Sequence, residues 1–193
     1  VTKFVRQLNH ELRNHLNAVE LQTALLGEIV EESEAKGEIK RLREMTGEVN
    51  AHLHRLSAKL ANIRPELMSY PAKDFAEDLR AKLNLAQPEQ SAAIDWRLPQ
   101  GEEMLEIDPQ LLAEAFLELF ANASAHGREE GPLVFEVRGR GQTVEFSLRE
   151  PKGQLNSATE QWGASPLQQV RSGHYGLGLF RARGIFEAHH GQY

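Results

Sequence analysis

The run His10-Glu11-Leu12-Arg13-Asn14 lies on a segment whose apolar residues recur every three or four positions, as in an α-helix. That apolar stripe consists of Leu8, Leu12, Leu16 and Val19. His10 is about 200° around the helix from Leu8 and from Leu12, so its imidazole faces away from the stripe. Asn14 follows one turn later on the same face, and Glu11 lies beside them. An exposed imidazole next to a carboxylate can attack an electrophile and lose its proton, although a solvated histidine is the commoner explanation of one such residue.

The composition is that of an ordinary globular protein, with 40% hydrophobic and 26% charged residues in 193. No stretch approaches the roughly 18 apolar residues of a membrane helix, and the absence of cysteine excludes disulfides and thiolate metal sites. A net charge of -6 argues against a nucleic-acid surface. We therefore expect no nucleic-acid partner, no membrane contact by these residues and a cytoplasmic location. Because the chain starts without methionine and stops just after a helix, we expect it to be part of a longer protein.

Two long amphipathic helices are predicted at the start of the chain, over about residues 2–30 and 39–63. The apolar pattern lapses in the acidic stretch 31–37, so the two helices should form an antiparallel hairpin. One hairpin has too small a core to stand alone, and a second copy would complete a dimeric four-helix bundle. We expect this hairpin domain to occupy residues 1–66.

A linker between Pro65 and Pro71 should separate the hairpin from a second domain at residues 67–193. The predicted elements there are a short helix at 75–83, strands at 94–98 and 104–107, a helix opened by Asp108-Pro109, a β-hairpin with strands at 133–137 and 144–148, and a closing helix after Gly178. Residues 150–175 have little periodicity and should form a long loop. The predicted fold class is therefore α+β.

The second domain carries two candidate ligand-binding motifs. Glu118, Asn122 and His126 follow one another at intervals of four, so they share one helix face. An amide oxygen suits Mg²⁺, which makes Asn122 a candidate metal ligand, and Glu118 could orient water or act as a base. The run Gly176-Leu177-Gly178-Leu179 precedes a helix, where free amides suit phosphate. Taken alone, the first motif is equally well explained as a polar helix face, and the glycine run as a simple turn.

In combination, these motifs resemble the catalytic core of the two-component sensor histidine kinases. His10 to Asn14 is similar to the H-box of the dimerisation and histidine-phosphotransfer domain. Residues 118–127 resemble the N-box, and the run from Gly176 to Leu179 resembles the second glycine box, of the Bergerat ATP-binding fold. Their order and separation agree over essentially the whole chain. The resemblance implies a dimeric four-helix bundle followed by an α/β two-layer sandwich.

The same resemblance implies a mechanism and a set of partners. His10 would attack the γ-phosphate of ATP, Glu11 would accept its proton, and Asn122 would bind Mg²⁺. The implied nucleotide site contains Asn122, His126, Glu150, Gly153, Gly176, Leu177, Gly178 and Leu179. The chain would act as a homodimer, and phosphohistidine would donate to an aspartate of a response-regulator receiver domain. Glu11 and Asn14 also match the arrangement that positions water for receiver dephosphorylation.

Three single positions and one motif depart from the family pattern. His15 replaces the proline that bends the helix, Glu118 replaces the first asparagine of the N-box, and Ala125 replaces a phosphate-facing lysine. Glutamate at the first of these N-box positions is found in gyrase-type ATPases and in one histidine-kinase subgroup. The first glycine box, usually D-x-G-x-G, corresponds here to Glu150-Pro151-Lys152-Gly153-Gln154, where Glu150 would accept a hydrogen bond from the adenine amino group.

Two alternatives follow from these departures. The first is a histidine phosphotransferase or phosphatase of the same architecture, whose degenerate ATP domain does not use ATP. The second is a structural dimerisation module with a vestigial nucleotide fold. The polar cluster of His10, Glu11 and Asn14 argues against the second alternative, because dimerisation alone does not require it.

Overall fold

A computed structural model describes residues 2–99, 101–125, 131–151, 163–165 and 176–192, with side chains from Gln7 onward except that of Ala125. The chain divides into two compact units, Val1–Asn62 and Ile63–Tyr193. The first unit is helical and the second mixes helices with sheets, so the predicted α+β class is confirmed. None of the helices in these ranges combines the length and the apolar character of a membrane span.

The first unit is a hairpin of α1 (Thr2–Ile29) and α2 (Ser33–Leu60). The helices are antiparallel, because Asn9 contacts Ser57 at one end and Gly27 lies against Ile39 at the other. The acidic stretch predicted as a link is instead mostly the first turn of α2. Glutamate, alanine and lysine are strong helix formers, and Glu34 in that first turn interacts favourably with the helix dipole. The connection is reduced to residues 30–32.

Most of the fully buried side chains of the hairpin are polar. Of the side chains described in this unit, the buried ones are Asn9, Thr23, Thr46 and Leu60. Nine large apolar side chains of the hairpin are 42 to 74% exposed, and they are Leu8, Leu12, Leu21, Leu25, Leu26, Ile29, Leu42, Met45 and Val49. Of the predicted stripe, Leu8 and Leu12 therefore remain exposed in the single chain, whereas Leu16 and Val19 are half-buried. Such a hairpin leaves unburied the surface that stabilises helices in globular proteins.

The second unit contains β1 (Met68–Pro71), α3 (Ala72–Ala86), α4 (Pro88–Ala92), β2 (Ile94–Arg97), β3 (Met104–Ile107), α5 (Pro109–Ala125), β4 (Leu133–Arg140), β5 (Thr143–Arg149) and α6 (Gly178–Ala188). Strands β1 and β3 pair antiparallel. In the described part of the unit, a second sheet has the order β2-β4-β5, with β2 parallel and β5 antiparallel to β4.

Two of these elements were not predicted from the sequence. The segment expected to be a linker contains β1, and its Pro71 stands at the end of an edge strand, where a missing N–H is tolerated. The short helix α4 begins with Pro88, whose fixed backbone angle suits the first helical position. Ile63, predicted as the end of the second helix, instead packs against the core of the second unit.

Aromatic side chains join the helices to one face of the three-stranded sheet. The ring of Phe116 on α5 lies 5.9 Å from Phe75, 5.5 Å from Phe135, 5.1 Å from Phe146 and 5.2 Å from Phe186. These residues come from α3, β4, β5 and α6, so the core connects both layers. Tilted and edge-to-face rings at such distances stabilise a core beyond the area they bury. The unit is thus the two-layer arrangement expected from the sequence.

Candidate functional site

His10 is exposed on α1, as its position opposite the apolar stripe predicts. The Nδ2 atom of Asn14, one turn later, lies 3.4 Å from His10 Nδ1. The carboxylate of Glu11 accepts a hydrogen bond of 2.8 Å from Gln7 Nε2. Glu11 therefore lies next to His10 in the chain but is engaged one turn back in this conformation. The arrangement leaves Nε2 as the ring nitrogen away from the Asn14 contact.

Two contacts near His10 join α1 to α2, and sequence reasoning missed both. The buried Nδ2 of Asn9 donates to the carbonyl of Leu53 and to the hydroxyl of Ser57, over 2.9 and 2.7 Å. Arg13 Nη2 lies 3.0 Å from Nε2 of His54. The signal for Asn9 was present, because Asn9 precedes Leu16 and Thr23 by seven and fourteen residues, the spacing of an interhelical seam.

The helix α5 starts from Asp108, as predicted. One carboxylate oxygen accepts the N–H groups of Gln110 and Leu111 at 3.1 and 3.0 Å, and the other accepts that of Glu66 at 3.1 Å. Burial acts to raise the pKa of Asp108, but the backbone donors of Leu111, Glu66 and Gln110 outweigh it and hold the pKa below its ordinary value. The N-cap therefore remains ionised at neutral pH.

Helix α6 runs antiparallel to α5. Near the start of α6, Arg181 forms a bidentate ion pair with Glu114, with Nη2 3.2 Å from Oε2. At its end, His189 Nε2 accepts the N–H of Asp108 at 3.0 Å. Because His189 lies beside the first turn of α5 and Arg181 lies farther along it, the first residues of α6 point towards the Glu118 level of α5. This packing brings the two candidate nucleotide motifs to one side of the unit.

Glu118 and Asn122 are half-buried on the face of α5 that also carries Glu114. Gly176, just before α6, has a φ of 60°, which glycine adopts without strain. Leu177 is buried, and Gly178 and Leu179 form the first turn of α6, whose backbone N–H groups have no partner within the helix. A helix start of this kind is suited to an anion.

The remaining predicted site residues are less completely placed. Glu150 is half-buried and directly follows β5. His126 and Gly153 lie outside the described residues. In the described part of the chain, no three histidine, aspartate or glutamate side chains group as a metal site. The donor set fits Mg²⁺ only as an ion held mainly by substrate phosphates, with the Asn122 amide oxygen as one hard ligand.

No protein-family model matches the chain, and a comparison with curated proteins finds no relative. Solved structures do resemble it. Full-length ShkA in complex with AMPPNP is 20% identical over 97% of this chain, with a TM-score of 0.55, and this chain spans 41% of its length. The catalytic domain of the histidine kinase ThkA is 18% identical over 63% of this chain and 80% of its own, with a TM-score of 0.51. The chain therefore has the fold of a histidine kinase catalytic core.

Proposed function

We propose that this chain phosphorylates itself on His10 with ATP and passes the phosphoryl group to an aspartate of a response-regulator receiver domain. The observation that carries the proposal is the exposed imidazole of His10, flanked by Asn14 and Glu11, on a chain with the histidine kinase fold. An exposed nucleophile with an adjacent proton acceptor has the chemistry that phosphoryl transfer requires. An exposed histidine alone would not indicate phosphoryl transfer, and the histidine kinase fold makes this function the leading hypothesis.

In the proposed step, the lone pair of His10 Nε2 attacks the γ-phosphorus of ATP. The bond from that phosphorus to the bridging oxygen breaks, and ADP leaves with the electron pair. The attacking ring carries its proton on Nδ1, and this N–H can donate a hydrogen bond to Asn14 once the amide has turned its oxygen towards the ring. The phosphorylated ring is then cationic and loses this Nδ1 proton to the carboxylate of Glu11, which must first leave Gln7. In the second step, the aspartate oxygen attacks phosphorus and the P–N bond breaks.

The nucleotide would occupy the side of the second unit where α6 begins. The first-turn amides of α6, at Gly178 and Leu179, would bind the phosphates after the turn at Gly176 and Leu177. Bound Mg²⁺ would neutralise phosphate charge, with Asn122 as a ligand, and Glu118 would orient water or act as a base. We also assign Glu150 to the adenine amino group, and His126 and Gly153 to the nucleotide site, from the sequence resemblance.

We propose a second copy of the chain as the partner of the hairpin. Exposed apolar side chains form a stripe on both helices of the hairpin. Its most exposed members are Leu21, Leu25, Ile29 and Met45. Two hairpins would bury each other's stripes and form a closed, self-complementary bundle. The receiver domain would dock on the same bundle, and Glu11 with Asn14 would orient water for its dephosphorylation.

The experiment is incubation of the whole chain with Mg-ATP labelled at the γ-phosphate. We expect label that is stable in base and labile in acid, that is lost in His10→Ala and that is retained in His15→Ala, since His15 is another exposed histidine on α1. Absence of label from ATP, together with loading of His10 by a phosphorylated receiver, would establish the phosphotransferase alternative. Absence of label from both donors would leave the phosphatase form of that alternative, detected by dephosphorylation of a phosphorylated receiver, or a structural dimerisation module.

A further inference from the structure

Asn9 directly precedes His10, and the proposed function gives it no role. Its side chain is only 2% exposed. Its Nδ2 atom bridges to two groups of α2, the Leu53 carbonyl at 2.9 Å and the Ser57 hydroxyl at 2.7 Å. These two acceptors are four residues apart, so they stand one turn above one another on the same face of α2. One amide thus contacts two successive turns of the opposite helix.

Stability alone does not account for an asparagine at this position. Its buried Oδ1 has no hydrogen-bond partner among the described residues. Replacing a partly satisfied buried amide with an apolar side chain of similar shape is commonly neutral or stabilising. The other buried polar residues of the hairpin behave differently, because the hydroxyls of Thr23 and Thr46 bond to carbonyls of their own helices. Asn9 directs its donors across the interface, which is how buried asparagine specifies helix register.

We propose that Asn9 is a positioning residue that sets the axial register and rotation of α1 on α2, and thereby the direction of the His10 imidazole. The inference rests on the proposed phosphorylation of His10. His10 is the next residue, so a slip of one residue at Asn9 moves it by about 1.5 Å along the helix and turns it by about 100°. In-line transfer does not tolerate such errors, since a misplacement of about 1 Å can cost about 100-fold in rate.

The test compares Asn9→Leu with Thr23→Val in the whole chain. Thr23 lies on the same helix and is equally buried, but its hydrogen bonds stay within α1. We expect Asn9→Leu to lower kcat for labelling from ATP by about 10- to 100-fold while KM for ATP stays within about twofold. Thr23→Val should stay within about twofold in both constants. Ser57→Ala removes only one of the two acceptors and should cause a smaller loss of kcat, about threefold to tenfold.

Labelled phosphoramidate, a small phosphoryl donor that diffuses freely to the imidazole, separates position from reactivity. We expect Asn9→Leu to react with phosphoramidate within about twofold of the native chain, because no second site has to align with His10. Equal loss with ATP and with phosphoramidate would assign the defect to the reactivity of His10 and overturn the inference. Native labelling of Asn9→Leu from ATP would also overturn it.

A distance measurement keeps the inference testable if the native chain takes no label from ATP, a result that would refute the proposed function itself. The chain has no cysteine, so Gln22→Cys and His52→Cys provide a unique pair for spin labels, both at exposed positions. Dilution with unlabelled chain restricts the signal to one protomer. We expect Asn9→Leu to broaden or shift the α1–α2 distance by about 1.5 Å or more per residue of slip. An unchanged distance distribution would overturn the role of Asn9.

Discussion

Replacement of Glu114 by alanine tests whether the start of α6 is held in place by α5. Glu114 pairs with Arg181, which lies in the first turn of α6, three residues after Gly178. The Arg181 side chain is only 10% exposed, whereas that of Glu114 is 40% exposed. Alanine is the best helix former, so the substitution removes the carboxylate without a helix-propensity cost in α5. The loss leaves a largely buried guanidinium without this carboxylate.

The expected cost lies between those of buried and exposed ion pairs. Removal of one partner of a fully buried pair costs about 3–5 kcal/mol, whereas an exposed pair contributes about 0–1 kcal/mol. Because one partner is buried and the other is partly solvated, we expect Glu114→Ala to lose about 2 kcal/mol of unfolding free energy. In a domain of this size, that loss lowers the Tm by roughly 5–8 °C. A double-mutant cycle with Arg181→Met should return a coupling of about 1–1.5 kcal/mol.

Tryptophan fluorescence during urea unfolding is a selective assay, since neither tryptophan is in the first unit. Trp96 packs against Phe135 with the ring centroids 5.1 Å apart, so its emission reports on the core. The control is Glu187→Ala, which removes the carboxylate from the more exposed Arg183–Glu187 pair of the same helix, and it should cost less than about 0.5 kcal/mol.

Glu114→Ala should also affect nucleotide binding, because Glu114 contacts the helix α6, whose first backbone N–H groups would bind phosphate. Calorimetry with a non-hydrolysable ATP analogue should show the Kd of Glu114→Ala rising by about threefold to tenfold, equivalent to about 0.7–1.4 kcal/mol. A coupling energy below about 0.3 kcal/mol, the usual error of additivity, would refute the proposed anchoring of α6. A loss of stability with an unchanged Kd would separate that anchoring from nucleotide binding.

Three further predictions concern the bundle, the glycine turn and the N-cap. Leu25→Asp should convert the proposed dimer to monomer in sedimentation analysis, whereas Leu85→Asp, at an 86% exposed position on α3, should not. Identical behaviour of the two variants would contradict the proposed interface. Gly176→Ala strains a residue with a left-handed backbone by about 1–2 kcal/mol and should raise the Kd for the ATP analogue at least fivefold. The control is Gly47→Ala, where the helix α2 has open space for a methyl group, and it should stabilise the hairpin by about 0.5–1 kcal/mol. The pKa of Asp108 is lower in the folded than in the unfolded chain, so the stabilisation is present above about pH 4 and is lost as acid protonates the folded carboxylate. The unfolding free energy, measured from about pH 5 to pH 2, should therefore fall less steeply in Asp108→Asn than in the native chain. Equal slopes would contradict this role.

Local patterns were sufficient for the elements with strong periodicity. The apolar repeat around Leu12 predicts α1, and the Asp108-Pro109 pair predicts the start of α5 within a residue. Alternation on either side of Gly141, which has a φ of 65°, predicts the β4–β5 hairpin. In each case the physical determinant lies within a few residues of the element, so a single sequence contains it.

Features that depend on distant residues were not predictable in the same way. The strand β1 forms by pairing with β3, with Met68 opposite Ile107 and Ser69 opposite Glu106, about 40 residues later in the chain. The residues of β1 themselves show no alternation of apolar and polar side chains that would predict a strand. The packing of α6 on α5 includes the pairing of Arg181 with Glu114 and the contact of Phe186 with Phe116, residues separated by about 70 positions. The proposed nucleotide site combines both kinds of information, since its motifs are local but their proximity is not.

The two units are stabilised by different means, and this difference has a consequence for the chemistry at His10. The second unit has a core of interlocking aromatic rings around Phe116 and is complete in that respect within one chain. The hairpin buries few side chains, most of them polar, and leaves nine large apolar side chains exposed, so its free energy of folding depends on what covers them. Asn9 then operates in a helix pair whose packing is only partly specified by apolar contacts. A polar hydrogen bond between the helices is most effective at fixing register in such a pair, because the exposed apolar side chains contribute little to holding α1 in place along α2.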